Sequence, residues 1–266
     1  MQTLDLVDAG SGVEFGRHGV HLDTHRGGAG ERVALVLPGA ERAVEDTAFL
    51  DALAEEFTVV APTHPGFGRS PRPDWCTSVD DLAYLYLEWL DRSALTDVTV
   101  VGLQFGGWVA LEMAVRSCAR IGRLVLVDPL GIKLGGPRDR DVVDLFATPH
   151  TELDRLLYAD QRHALGDLGA APVEAVLELA RNEEALVTYG WEPFLHNPRL
   201  PDWTWRISRP TTVVWGGRDG IVTPAHGRGL AELIPGARFE LVEDAGHRPQ
   251  VERPEDVARL VAKSAV

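Results

Sequence analysis

The chain has 266 residues, 45% of them apolar, with a formal net charge of -14 and a pI near 5.0. That length and apolar content suffice for one large α/β domain, or a domain with an inserted cap, and exclude a disordered chain. The acidity excludes a surface built for nucleic acid or for an anionic membrane, which needs concentrated Lys and Arg.

The opening thirty residues are punctuated by glycine, and residues 13–17 and 20–24 read as the short strands of a hairpin. Six apolar runs with little alternation follow, at 33–37, 58–61, 98–103, 124–127, 212–215 and 239–242. Such runs suit parallel strands covered on both faces, so the expectation is an α/β fold with a mostly parallel sheet of about eight strands. Helical spacing fills the intervals. Ser78-Val79-Asp80-Asp81 reads as a capping box ahead of a helix whose inner face is Val79, Leu82, Ala83, Tyr86, Trp89 and Leu90. Residues 107–116 continue as a helix, and Pro254 suits the first position of a final helix with Val257, Leu260 and Val261 inward. Right-handed crossovers distribute the helices over both faces of the sheet.

The alternation breaks between residues 132 and 208, where there is no convincing strand, one amphipathic helix at 172–181, and the aromatic stretch Tyr189-Gly190-Trp191-Glu192-Pro193-Phe194. The expected organisation is a core in two parts, 1–131 and 209–266, with a helical cap at 132–208 inserted between them. Lys133-Leu134-Gly135-Gly136-Pro137 and Ser208-Arg209-Pro210 serve as exit and return.

The chemistry centres on Gly102-Leu103-Gln104-Phe105-Gly106, which runs from a buried strand into a helix. This is the frame of a nucleophile elbow, G-x-S-x-G, with glutamine in place of serine, and an amide is no nucleophile at neutral pH. Asp219, in Trp215-Gly216-Gly217-Arg218-Asp219, and His247, in Asp244-Ala245-Gly246-His247, follow two late strands in the chain order of acid and base. Asp128, after the run at 124–127, is an alternative acid, with turn formation before Pro129 the preferred reading.

With these motifs, and with Leu37-Pro38-Gly39-Ala40 and His64-Pro65-Gly66-Phe67-Gly68-Arg69-Ser70, the chain resembles the α/β-hydrolase superfamily, of the capped small-molecule hydrolase type, over nearly its whole length. The resemblance implies that Asp219 orients His247 as a general base and that Gln104 occupies the nucleophile position. It also implies that the backbone N–H groups of Ala40 and Phe105 form an oxyanion hole. Two departures stand out: Leu37-Pro38 where many members have a histidine, and the missing serine. Gln104 could donate to a substrate oxygen, accept from His247, hold a water, or fill space. His64, at the end of its strand, is placed with the substrate-binding residues, although a loop-ordering role is the stronger reading. Trp191 and Phe194, with Trp203 and Trp205, are expected to line an apolar chamber or to pack the cap.

The function expected is that of an enzyme of this fold acting through His247 and Asp219, without a covalent serine intermediate, on a small apolar carbonyl metabolite. Water activation gives hydrolysis; substrate deprotonation gives a lyase or cyclase. The rival readings are a ligand-binding protein without catalysis, and an ordinary serine esterase or carbon–carbon bond hydrolase substituted at Gln104. No cofactor or metal signature is present. Cys76 and Cys118 sit in no redox or metal spacing. A small-molecule substrate is the expected partner, with no nucleic acid and no membrane, and a homodimer is an open assembly. The start of the chain has neither the basic nor the apolar region of a signal peptide and no apolar run is long enough to span a bilayer, which places the expected location in the cytoplasm.

Overall fold

A computed structural model describes residues 13–15, 19–41, 43–136 and 138–264. Residues 16–17 of the first expected strand and Pro137 of the expected exit lie outside them. Among the described residues nine strands form: β1 (Val13–Phe15), β2 (Val20–Leu22), β3 (Thr24–Gly27), β4 (Arg32–Leu37), β5 (Phe57–Pro62), β6 (Val98–Leu103), β7 (Ile121–Val127), β8 (Thr211–Gly216) and β9 (Arg238–Val242). The main sheet has seven strands in the order β3-β5-β4-β6-β7-β8-β9, all parallel except β3, which runs antiparallel to β5 at the edge.

The expectation of about eight strands is corrected at the N-terminal end. Among the described residues, β1 and β2 pair only with each other, as a separate two-stranded ribbon. The chain resumes at Thr24 as β3, so the run expected at 20–24 divides between two sheets. Each of the six expected parallel runs lies inside an observed strand.

Period-two alternation within buried strands sorts the side chains into two cores. Ala34 and Val36 of β4 face one core and Leu35 and Leu37 the other. The first core is covered by α1 (Thr47–Ala54) and α9 (Pro254–Lys263), through Phe49, Leu50, Leu53, Val257, Ala258 and Val261. The second is covered by α2 (Val79–Arg92), α3 (Phe105–Arg116) and α7 (Pro224–Leu233). α2 starts on the expected capping box: Ser78 accepts from the Asp81 amide at 3.2 Å, and the Asp81 side chain accepts from the Ser78 amide at 3.0 Å.

Between β7 and β8 the chain holds α4 (His150–Leu157), α5 (Val173–Gly190) and α6 (Leu200–Trp203). α5 runs nine residues beyond the helix expected to end at Arg181, because no proline or glycine interrupts it before Gly190. The short α8 (Pro249–Glu252) follows His247. Among the described residues, no helix is long and apolar enough to cross a membrane.

Candidate active site

β6 delivers the chain to Gln104, which has φ 47° and ψ -109°, and α3 begins at the next residue. A non-glycine residue at positive φ stores strain that the surroundings must over-determine. They do so through the main chain: the Gln104 amide donates to the Val127 carbonyl at 2.9 Å, and its carbonyl accepts from Gly107 and Leu130, each at 3.0 Å. The flanking glycines are needed for close approach. A Cβ on Gly106 would stand 2.0 Å from the Leu37 carbonyl oxygen, and one on Gly102 would stand 2.6 Å from the Gly107 Cα.

His247 is presented by the loop after β9. Its Nδ1 lies 2.8 Å from Asp219 Oδ2, with both side chains buried. The other Asp219 oxygen accepts from the Ile221 and Val222 amides at 2.7 and 3.0 Å, which fixes the carboxylate so that Nδ1 is the protonated ring nitrogen. The loop is held by Glu252 of α8, which accepts from the Gly246 and Asp160 amides, both at 2.6 Å, and by the His247 amide donating to the Leu157 carbonyl at 2.8 Å.

Asp128, for which turn formation before Pro129 is the preferred sequence reading, also lies beside this pair. It is fully buried at φ 42°, and its Oδ1 accepts from the Gly216 amide at 3.0 Å. Burial first, and then the neighbouring Asp219 carboxylate, push the Asp128 carboxyl well above the usual carboxylate range. Asp128 Oδ2 is buried without a hydrogen-bond partner. Asp128, Asp219 and His247 offer ligand atoms within 4.8 Å of one another, and two of them, His247 Nδ1 and Asp219 Oδ2, are bonded to each other.

Gln104 and His247 are brought together, though not ring to amide. Gln104 Nε2 donates to the His247 carbonyl oxygen at 3.2 Å, and Gln104 Oε1 is buried without a partner. Ala40 lines a cavity of about 110 Å³ with Glu41, Leu153, Leu157, Tyr158 and Leu186. The Phe105 ring is buried in an aromatic cluster, 5.5 Å from His64 and 5.4 Å from Phe67.

His64, placed from the sequence among the substrate-binding residues with loop ordering the stronger reading, is held on both ring nitrogens. The ring is fully buried, with Nε2 3.1 Å from the Pro38 carbonyl and Nδ1 2.6 Å from the Tyr86 hydroxyl. A carbonyl only accepts, so Nε2 carries the proton and Nδ1 accepts from Tyr86. Burial lowers this histidine to about 4, so it is a neutral tie between two loops. Trp191 and Phe194 line a different cavity, of about 540 Å³, with Ile132, Lys133 and His196. The Phe146 ring, which lines the cavity at Ala40, is 5.7 Å from Trp191 and 5.6 Å from Phe194. Trp203 and Trp205 are exposed.

Several participants carried no sequence signal. Arg248 is buried beside His247; it donates to Glu45, to the Tyr158 hydroxyl at 2.6 Å and to Asp46 at 3.2 Å, and its Nε is 4.0 Å from Glu41. Burial raises Asp46 to about 6 even with Arg248 opposing the shift. Asn182 of α5 accepts from the Gly68 amide at 2.8 Å and donates to the Glu41 carbonyl at 3.0 Å, tying the helical insert to the loops after β4 and β5. No short motif marks these residues, because their partners are distant in sequence.

A parallel sheet, a strained turn from β6 into α3, and a His-Asp pair on the loops after β9 and β8 define an α/β-hydrolase. The chain belongs to the alpha/beta hydrolase family, which it matches over residues 34–260. It is 27% identical to a 2-hydroxymuconate semialdehyde hydrolase of Pseudomonas sp. (strain CF600), over 93% of each chain. It is 29% identical to the dihydrolipoyllysine-residue acetyltransferase component of the acetoin cleaving system of Cupriavidus necator, over 96% of this chain and 70% of that one. Among solved structures it is similar to the meta-cleavage product hydrolase of Pseudomonas fluorescens IP01, with a TM-score of 0.76 and 22% identity over 96% of this chain and 97% of that one.

Proposed function

We propose that this protein hydrolyses a small, largely apolar carbonyl compound by direct attack of water, without an acyl-enzyme. The observation that carries this reading is the 2.8 Å bond from His247 Nδ1 to a carboxylate locked by two backbone amides, beside an elbow residue that offers only an amide. Nε2 of His247 takes a proton from water as the water oxygen bonds to the carbonyl carbon, and the carbonyl electron pair becomes an oxyanion. The Ala40 and Phe105 amides stabilise that charge. The oxyanion then collapses, the bond to the leaving group breaks, and the imidazolium returns its proton to the leaving group.

The test is a screen of short-chain esters and vinylogous diketones, followed by His247→Ala and Gln104→Ala on any substrate found. His247→Ala abolishes turnover, whereas Gln104→Ala costs no more than the roughly 10²- to 10³-fold typical of one oriented hydrogen bond. Full activity in His247→Ala sinks the reading. A second reading, a ligand-binding protein without turnover, is favoured by one observation: Gln104 and His247 are 1% and 2% exposed. Equal, tight binding of one metabolite to wild type and His247→Ala, with no turnover by either, would put that reading first.

A further inference from the structure

Arg248 follows His247 directly, and its guanidinium is buried where the histidine loop meets two other segments. Nη1 donates to Glu45 and, at 2.6 Å, to the Tyr158 hydroxyl; Nη2 donates to Asp46 Oδ1 at 3.2 Å; and Nε faces Glu41 Oε2 at 4.0 Å as an ion pair. Glu41 follows Ala40 in the loop after β4, Glu45 and Asp46 precede α1, and Tyr158 stands at the end of α4 in the helical insert. The cluster is cross-linked: Tyr158 donates to Glu45 at 3.3 Å, and Gln250 donates to Asp46 at 3.2 Å. Glu41, Glu45 and Tyr158 also line the cavity at Ala40.

Stability alone is a poor account of such a group. Desolvation opposes a buried ion cluster, and well-packed apolar side chains of similar volume often serve as well or better. What a guanidinium adds is geometry, because its planar fork of N–H groups binds several partners in fixed directions. Burial opposes the charge on Arg248, but Tyr158 and the carboxylates of Glu41, Asp46 and Glu45 outweigh it and hold the guanidinium well above its ordinary pKa. The other ties of the 244–248 loop lead elsewhere: the His247 amide to Leu157, the Gly246 amide to Glu252, and Asp244 to Arg218. Arg248 carries the link from the histidine loop to the segment of Ala40. A general base and an oxyanion donor need such a link, since a misplacement of about 1 Å can cost about 10²-fold in rate.

We propose that Arg248 is a positioning residue, whose guanidinium holds the loop of His247 at a fixed separation from the loop of Ala40 and from Tyr158 at the cavity wall. The assignment rests on the roles given above to His247 as base and to the Ala40 amide as oxyanion donor. It does not depend on which substrate is hydrolysed, or on attack by water.

The experiment uses the full chain carrying Gln104→Ser and a fluorophosphonate probe. In that reaction the serine oxygen bonds to phosphorus, the P–F bond breaks, fluoride leaves and the serine proton passes to His247, while the phosphoryl oxygen lies at the Ala40 and Phe105 amides. Saturation labelling separates the maximal rate from the half-saturating concentration. Adding Arg248→Met lowers the maximal rate by about 10²-fold and leaves the half-saturating concentration within about threefold. Arg248→Lys, which keeps the charge but not the fork, recovers at least about tenfold of that loss. Glu41→Gln severs the ion pair while Arg248 keeps its other bonds; it lowers the maximal rate by about tenfold and serves if Arg248→Met fails to fold. Ser78→Ala, which weakens α2 away from the cluster, labels at the parent rate. The proposal is overturned if Arg248→Met or Glu41→Gln labels at the parent rate, if the change lies only in the half-saturating concentration, or if Ser78→Ala loses as much. Failure of Gln104→Ser itself to label would also overturn it, by showing that base and oxyanion donor are not held in working register. No natural turnover enters these rates, so the absence of hydrolysis would sink the reading above and leave them intact, whereas labelling indifferent to Arg248 would leave turnover through His247 standing.

Discussion

Gln104 meets His247 at its main chain and not at its ring: the amide Nε2 donates to the His247 carbonyl at 3.2 Å, while the imidazole is bonded through Nδ1 to Asp219. The elbow residue therefore braces the histidine loop and leaves Nε2 of the ring uncommitted to it.

This arrangement predicts the response to serine-directed reagents. A fluorophosphonate should leave the elbow unlabelled, since Gln104 offers no alkoxide. Gln104→Ser should gain a label at position 104 and weak activity on activated esters, because the base is already oriented. Intact-protein and peptide mass spectrometry reads both results; labelling of the wild-type elbow region would contradict them.

The acid pair yields a contrast between two chemically identical substitutions. Asp219→Asn removes the charge that orients His247 and should lower turnover by about 10⁴-fold if the triad precedent transfers. Burial and the neighbouring Asp219 raise the Asp128 carboxyl well above the usual range, which favours its neutral form, so Asp128→Asn is expected to act as a near-isostere that keeps an acceptor for the Gly216 amide. Its stability at pH 7 should change by less than about 1 kcal/mol in urea unfolding. A loss of several kcal/mol would mean that Asp128 is ionised.

His64 should dominate part of the acid limb of stability. Its value falls from 6.5 to about 4 on folding because of burial, so below pH 6.5 the unfolded chain binds more protons and stability falls with pH through that window. The full effect is about 3 kcal/mol at its upper bound. His64→Gln keeps a donor for the Pro38 carbonyl but cannot titrate. It should be less stable than wild type at pH 7 and lose less on acidification to pH 4.5; parallel losses in the two proteins would remove His64 from the account.

Gly106→Ala should be severe. The added Cβ would meet the Leu37 carbonyl oxygen at 2.0 Å, a main-chain atom inside a parallel sheet that cannot move aside. We expect a loss of more than about 3 kcal/mol, or no folded protein, by thermal or urea unfolding. By comparison Ser78→Ala, which deletes only the α2 cap, should cost about 1 kcal/mol.

The sequence by itself determined what local pattern and chain order can carry. The parallel strands are apolar runs because both their faces are covered, and the α2 start is a capping box whose partners lie three residues apart. The strand-turn-helix frame of Gln104, and the order Gln104, Asp219, His247, are likewise properties of the linear chain. Only the tertiary structure decided which residues share a site. Asp128 and Asp219 are 91 residues apart and meet because β7 and β8 are neighbours. Arg248 reaches Glu45 and Asp46 across 203 and 202 residues. His64 is a buried tie because Tyr86 and Pro38 close on both ring nitrogens, and Trp191 and Phe194 line a different cavity from Ala40. These outcomes depend on long-range packing, which sets burial and hence charge state, and no spacing along the chain encodes it.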